Sequence, residues 1–333
     1  MNKKRILVTG GTGSWGNEFV RQCLKAYDVS EIVIFSRGEH KQVEMQSAFK
    51  GLTDKLRFVV GDVRDKSRLK QWCSDVDIIF HMAALKHVPV CEDNTWEAVQ
   101  TNIIGTQNVI ECAIEANVET VVDISTDKAV DPFNHYGVTK SCAEKMIINA
   151  SFNYSTRTKF VCIRGGNVLG TNGSVIPLFK RQILDTNEIT LTNPEMTRYL
   201  MTKSEAIGLV LEAVKRAKGG EIFVMRMDAT SVNNIADAMI AMFGDLDTKK
   251  VIIGSRPGEK MHEVLVSRYE APFTKIISDK YYVVLPQHND ISLNETYKKY
   301  PNIDIDEFNS LNASQLSPSG LLEKIKGEKW LTD

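Results

Sequence analysis

The 333-residue chain reads as an α/β protein, a doubly wound parallel sheet followed by a smaller mixed C-terminal region. Three observations predict this. A glycine-spaced turn joins an apolar run to an amphipathic stretch at the start of the chain. Short apolar runs then alternate with helical patterns up to about residue 165, as crossovers between parallel strands require. Beyond that point the alternation gives way to loops and isolated elements.

The first strand is Ile6-Leu7-Val8, introduced by Lys4-Arg5 and followed by Thr9-Gly10-Gly11-Thr12-Gly13-Ser14-Trp15-Gly16. Glycines at 10, 13 and 16 leave room for a tight turn, for a pyrophosphate against the backbone, and for a helix packed closely on the strand. The helix N-terminus then faces the phosphates. Such spacing is weak alone; its place between a strand pattern and the amphipathic 14–27 segment (Phe19, Val20, Cys23, Leu24) gives it weight. No Gly-Lys-Ser/Thr follows, which argues against a nucleotide-hydrolysing phosphate loop. The second strand, Glu31-Ile-Val-Ile-Phe35, ends in Ser36-Arg37, where an NAD site usually has an acidic residue for the ribose hydroxyls. A hydroxyl and a guanidinium, with Lys41 nearby, suit a 2′-phosphate, so NADP is favoured over NAD.

Further strands are expected at 57–60, 77–82, 120–125 and 159–164, with helices at 40–49, 67–73, 94–117 and 135–153. Ligands of such sheets gather at the carboxyl ends of the strands. Gly61-Asp62-Val63 follows the third strand, with Asp62 placed to accept from an adenine amino group. Ala83-Ala84-Leu85-Lys86 follows the fourth, small residues that let a cofactor lie close. Ser125-Thr126-Asp127-Lys128 follows the fifth. On the next helix Tyr136 and Lys140 are one turn apart and share a face. The ammonium is expected to lower the phenol pKa and fit it to take a proton from a sugar hydroxyl. One tyrosine–lysine couple suffices to oxidise an alcohol. Asp127 and Lys128 add an acid and a base, which implies that a second proton moves; the plain alternative is an ion pair shaping the loop.

Composition narrows the field. A formal net charge of −1 gives no electrostatic reason to expect nucleic acid or an anionic membrane as partner. No 18-residue apolar run is present, and Met1-Asn-Lys-Lys-Arg5 leads straight into the first strand, so neither a membrane span nor a secretory segment is expected. Six scattered cysteines without Cys-x-x-Cys read as core residues in a reducing cytoplasm, with no metal site. After residue 165, Gly165-Gly166-Asn167, the 170–174 stretch and Pro177 are expected to form loops. A helix (204–217), a strand (221–224) and a second helix (231–243) follow, then a charged turn from Ser255 to His262. Asn167, Ser174, Arg198 and Arg256 are candidates for holding a diphosphate there. No function is assigned beyond about residue 290.

With these blocks the chain resembles the extended short-chain dehydrogenase/reductases. Within them it is most similar to the inverting UDP-N-acetylglucosamine 4,6-dehydratases of pseudaminic acid biosynthesis. The likeness runs from Arg5 to about His262, through Thr-Gly-Gly-Thr-Gly-Ser-Trp-Gly (9–16), Ala-Ala-Leu-Lys-His-Val-Pro (83–89), Ser-Thr-Asp-Lys-Ala (125–129), Tyr-Gly-x-Thr-Lys (136–140) and Arg-Pro-Gly-Glu-Lys (256–260). One departure is Gly165, where the family commonly has a tyrosine. The resemblance implies a Rossmann domain over 1–166 with a return segment near 202–226, and a substrate domain of 167–201 and 227–333. It implies Thr126, Asp127, Lys128, Tyr136 and Lys140 as catalytic. NADP would be bound by Gly10, Thr12, Gly13, Ser14, Trp15, Gly16, Ser36, Arg37, Lys41, Asp62, Val63, Ala83, Ala84 and Lys86, with Tyr136 and Lys140. A UDP-sugar would be held by Lys86, Asn167, Ser174, Arg198, Arg256 and Glu259. A homo-oligomer in the cytoplasm is expected.

Overall fold

The computed structural model describes residues 1–154, 156–171, 174–287 and 291–327; Asn172 and Gly173 of the expected loop, and the last six positions of the expected second domain, lie outside them. The apolar runs form one large sheet. Its strands are β1 (Arg5–Thr9), β2 (Glu31–Ser36), β3 (Leu56–Val60), β4 (Ile78–His81), β5 (Thr120–Thr126), β6 (Lys159–Gly165), β7 (Ile222–Met225), β8 (Thr274–Ile276) and β9 (Tyr281–Val284). Their spatial order is β8-β9-β7-β6-β5-β4-β1-β2-β3. The run from β3 to β7 is parallel, while β9 pairs antiparallel with both β7 and β8. Ile6, Leu7, Val8, Ile32, Val33 and Ile34 are wholly buried, as a sheet covered by helices on both faces requires. The strand order reverses at β1, between β2 and β4, which opens a crevice at the carboxyl ends of these strands.

Three expectations need correction. Gly165 and Asn167 do not lie in a loop: Gly165 closes β6, and Asn167–Val168 form a short strand. The 94–117 segment is not one uniform helix: Thr95–Ala98 and Gly105–Glu115 flank a π-helical stretch, Val99–Ile104. The wider turn inserts an extra residue within the segment that carries Asn102. The Asn102 amide accepts from the Leu85 N–H (2.8 Å) and donates to the Leu85 carbonyl (3.0 Å) and the Thr139 hydroxyl (3.0 Å). Pro177 does not break the chain into a loop; it lies in the first turn of the helix Val175–Thr186. First-turn amides have no intrahelical partner, so a proline costs nothing there.

Residues beyond 165 add a second apolar cluster that includes Leu169, Ile176, Phe179, Ile235, Met239, Leu321 and Ile325. A three-stranded sheet (Asn167–Val168, Thr197–Met201, Ala229–Ser231) runs beside it. No helix among the described residues is long and apolar enough to cross a membrane.

Candidate functional site

The crevice is a cavity of about 1040 Å³, bounded by the glycine turn, the ends of β2 to β5, the Tyr136 helix and segments from the second half of the chain. Gly10 takes a positive φ of 66°. A Cβ there would come within 2.7 Å of the Ala83 backbone, and one at Gly16 within 2.1 Å of the Gly11 carbonyl oxygen. Only hydrogen at these positions lets the turn lie against β4 and the helix Ser14–Ala26 against the turn. That helix begins at Gly13 with no acidic residue in its first turn, leaving its N–H groups to an anion. These features fit a dinucleotide pyrophosphate.

Gly10, Thr12, Gly13, Ser14, Trp15 and Gly16 line one end of the cavity, with Ser36, Arg37 and Lys41 beyond them. The Ser36 hydroxyl is buried and accepts from Gln42 at 2.9 Å. Arg37 is half exposed and 3.8 Å from Asp62. Asp62 and Val63 line the wall. Burial opposes ionisation of Asp62, but the Arg64 guanidinium and N–H outweigh it and hold the carboxyl below its ordinary range. Ala83, Ala84 and Lys86 face the same space. Burial, then the charge of Lys128, push the Lys86 ammonium down from its ordinary value.

The Tyr136 helix, His135–Asn153, starts at Asn134, whose side chain accepts from the Gly137 N–H at 2.8 Å. The same amide donates to the Gly258 carbonyl at 2.8 Å, which ties the Arg256–Glu259 turn to the cavity rim. A Cβ at Gly137 would be 2.3 Å from the Lys128 carbonyl oxygen. The glycine in Tyr-Gly-x-Thr-Lys therefore lets the helix press against the Thr126–Lys128 turn. Thr126, Lys128 and Tyr136 reach the cavity, while Asp127 and Lys140 lie behind its wall.

Electrostatics corrects the sequence reading at Tyr136. Tyr136 is not lowered: burial dominates and raises the phenol, although Lys140, Lys128 and the Thr126 hydroxyl pull it down. Lys140 is itself committed to Asp123, wholly buried, with its two oxygens 3.1 and 3.3 Å from Nζ. At Lys128 burial favours the neutral amine, but Asp127 (3.1 Å) and Glu263 (3.3 Å) together hold the ammonium above its ordinary range, against the charge of Arg198. Asp127 Oδ1 also accepts from the Thr126 hydroxyl at 2.8 Å.

Asn167, Ser174, Arg198, Arg256 and Glu259 also line the cavity. Arg198 donates to the Thr197 and Met261 carbonyls (2.8 and 3.2 Å). The buried Ser174 hydroxyl has no partner among the described residues. At Gly165 a Cβ would sit 3.1 Å from the Trp15 ring, so a side chain there would crowd the indole. Two residues escaped the sequence reading. Asp123 stood in plain view as a carboxylate inside a β-branched run, and Glu263 lies one position past the charged turn.

A family model described as "Polysaccharide biosynthesis protein" matches residues 6–285. The chain is 40% identical over 306 residues to a UDP-N-acetylglucosamine 4,6-dehydratase (inverting) of Campylobacter jejuni, covering 90% of this chain and 89% of that protein. It is 43% identical over 271 residues to a UDP-glucose 4-epimerase of Rickettsia bellii, covering 80% and 79%. The X-ray structure of Pen from Bacillus thuringiensis superimposes with a TM-score of 0.89 at 36% identity, covering 98% of this chain and 99% of that one. The glycine turn, the doubly wound sheet and these likenesses agree: the chain belongs to this polysaccharide biosynthesis family of extended short-chain dehydrogenase/reductases.

Proposed function

We propose that the chain is an NADP-dependent UDP-N-acetylglucosamine 4,6-dehydratase that inverts C5, serving the biosynthesis of a bacterial surface sugar such as pseudaminic acid. One observation carries this reading: Tyr136, Thr126 and Lys128 share one cavity wall with Asp127 directly behind it, more proton-transfer groups than alcohol oxidation needs. The Campylobacter relative bears the same activity in its name.

The glycine turn, Asp62, Val63, Ala83 and Ala84 would hold the cofactor, with Ser36, Arg37 and Lys41 on a 2′-phosphate. When bound, it would accept hydride from C4 and return it to C6, so none is consumed. Tyr136 would take the proton of the 4-hydroxyl. The resulting ketone acidifies C5–H because the carbanion is an enolate. Lys128 would remove that proton, Asp127 would protonate the departing 6-hydroxyl through the Thr126 hydroxyl that bonds it, and reprotonation of C5 on the opposite face inverts it. One proton passed from Lys128 Nζ to Asp127 Oδ1, across 3.1 Å, would turn the resting ion pair into the amine and acid these roles need. Arg198 and Arg256 would hold the diphosphate, with Asn167, Ser174, Lys86 and Glu259 around the sugar nucleotide. Residues 1–166 with 202–226 would then act as the cofactor domain, with β8 and β9 completing its sheet, and the rest of the second half as the substrate domain.

The Rickettsia relative's name favours a second reading, a 4-epimerase, which would use only Thr126, Tyr136 and Lys140. Product mass decides. Incubation with NADP⁺ and UDP-N-acetylglucosamine is expected to give a product lighter by one water; an unchanged mass with altered C4 supports the epimerase instead. Proton NMR of the fresh product is expected to show inverted C5, and a retained C5 would refute the inversion.

A further inference from the structure

Glu263 precedes the short strand Val264–Val266, far in sequence from the Thr126–Lys128 turn. The fold brings it back: Thr197 bridges His262, and the Glu263 N–H donates to the Ser310 hydroxyl at 2.9 Å. Its side chain is 3% exposed and lies on the cavity wall. Oε1 is 3.3 Å from Lys128 Nζ and 3.9 Å from Arg198 Nε, while Oε2 is buried with no partner among the described residues. A buried carboxylate with one oxygen lacking a protein partner is costly unless its charge is used.

We propose that Glu263 is a positioning residue for Lys128: with Asp127 it forms a two-carboxylate cradle that fixes the ammonium at the cavity wall and sets how readily it gives up a proton. The inference rests on the dehydratase reading for its catalytic meaning, but not for the cradle itself. The groups facing Lys128 are Asp127 on its own turn, Glu263, Arg198 from the strand Thr197–Met201, Lys86 after β4, and Tyr136 on the long helix. Two are anionic and two cationic, with the phenol neutral. Removing Glu263 leaves Asp127 alone against Arg198 and Lys86. The neutral amine then becomes more accessible, and the proton passes more readily to Asp127.

The test titrates Lys128 by side-chain 13C NMR in the intact protein, its signal assigned by its loss in Lys128→Arg. Glu263→Gln is expected to lower the Lys128 midpoint by about one to three pH units. Glu263→Asp, which keeps the charge, is expected to shift it by less. C5 deuterium uptake from heavy water, measured with UDP-N-acetylglucosamine and NADP⁺ across pH, is expected to rise at lower pH in Glu263→Gln than in wild type. Coincident Lys128 titrations in wild type and Glu263→Gln overturn the proposal, as does a folded Glu263→Gln that exchanges at no pH, which would make Glu263 the base itself. If wild type exchanges nothing while the Lys128 midpoint still moves, the cradle stands and the dehydratase reading falls.

Discussion

Lys140 and Lys128 are both ammoniums set against carboxylates, and the structure treats them differently. Lys140 is 3% exposed and faces one wholly buried partner, Asp123. Lys128 is 23% exposed, reaches the cavity and stands between Asp127 and Glu263, each with one oxygen unpartnered among the described residues. The first arrangement fixes a charge. The second keeps spare acceptor capacity beside an open face, the requirement of a site where protons change hands. Substitutions that trade the two roles test this contrast.

The largest effect is expected at the open site. Lys128→Gln keeps a shorter hydrogen-bond donor but not the basic amine, and C5 deuterium uptake is expected to fall by about 10²- to 10⁴-fold. NADP binding, followed by fluorescence, should persist. Undiminished uptake would reduce Lys128 to a structural counter-ion. Asp123→Ala should act oppositely, mainly on stability, because it strands a buried ammonium. A loss of about 3–5 kcal/mol is expected in denaturant unfolding. A loss under about 1 kcal/mol would show that Lys140 finds other support and that the two lysines differ less than their surroundings suggest.

Which of these features the sequence discloses depends on whether the interaction is local. The glycine turn, the strand–helix alternation and the Tyr136–Lys140 spacing are short-range patterns, and apart from the split 94–117 segment the expected strands and helices lie within a residue or two of their places, as with 135–153 and Lys203–Arg216. Thr126, Lys128 and Tyr136 meet in one cavity because a single strand end and the following helix carry them. Glu263 was illegible because its place depends on contacts with Thr197 and Ser310, and β8 and β9 because strands of three and four residues carry little pattern. The error over Tyr136 has the same root. Charge proximity can be read from helical spacing, whereas burial, which outweighs it, is set by the whole fold. Asp123 was visible but unread, since a lone carboxylate in a strand has no meaning until Lys140 is opposite it.

The fixed pair has a reporter. His81 is buried, bridges Thr9 (2.7 Å) and Thr106 (3.1 Å), and feels Asp123 and Lys140 with opposite sign. Burial lowers its imidazole from 6.5 to about 4. The folded state thus favours the neutral ring. The stability this adds is complete above pH 6.5 and is lost as pH falls through about 4, at most about 3 kcal/mol. Asp123→Asn removes the carboxylate that supports the charged ring, so the histidine midpoint should move further down in an NMR titration. An unmoved midpoint would mean that Asp123 and His81 are electrically screened from each other.

The smallest effect is expected at the far end of the cavity, where the sequence was most legible. Arg37 is 51% exposed and meets Asp62 only at 3.8 Å, so the protein itself gains little from it. Arg37→Ala should leave unfolding unchanged and weaken NADP⁺ by about tenfold, a charge-assisted contact discounted for solvent. NAD⁺, which lacks the 2′-phosphate, should bind the variant as it binds wild type. The wild-type preference should shrink with added salt, since an exposed ion pair is screened. Equal affinity of wild type for the two cofactors would leave Ser36, Arg37 and Lys41 as ordinary loop residues. The role proposed for the glycine turn would be untouched by that result, because it would meet through backbone a pyrophosphate that both cofactors present alike.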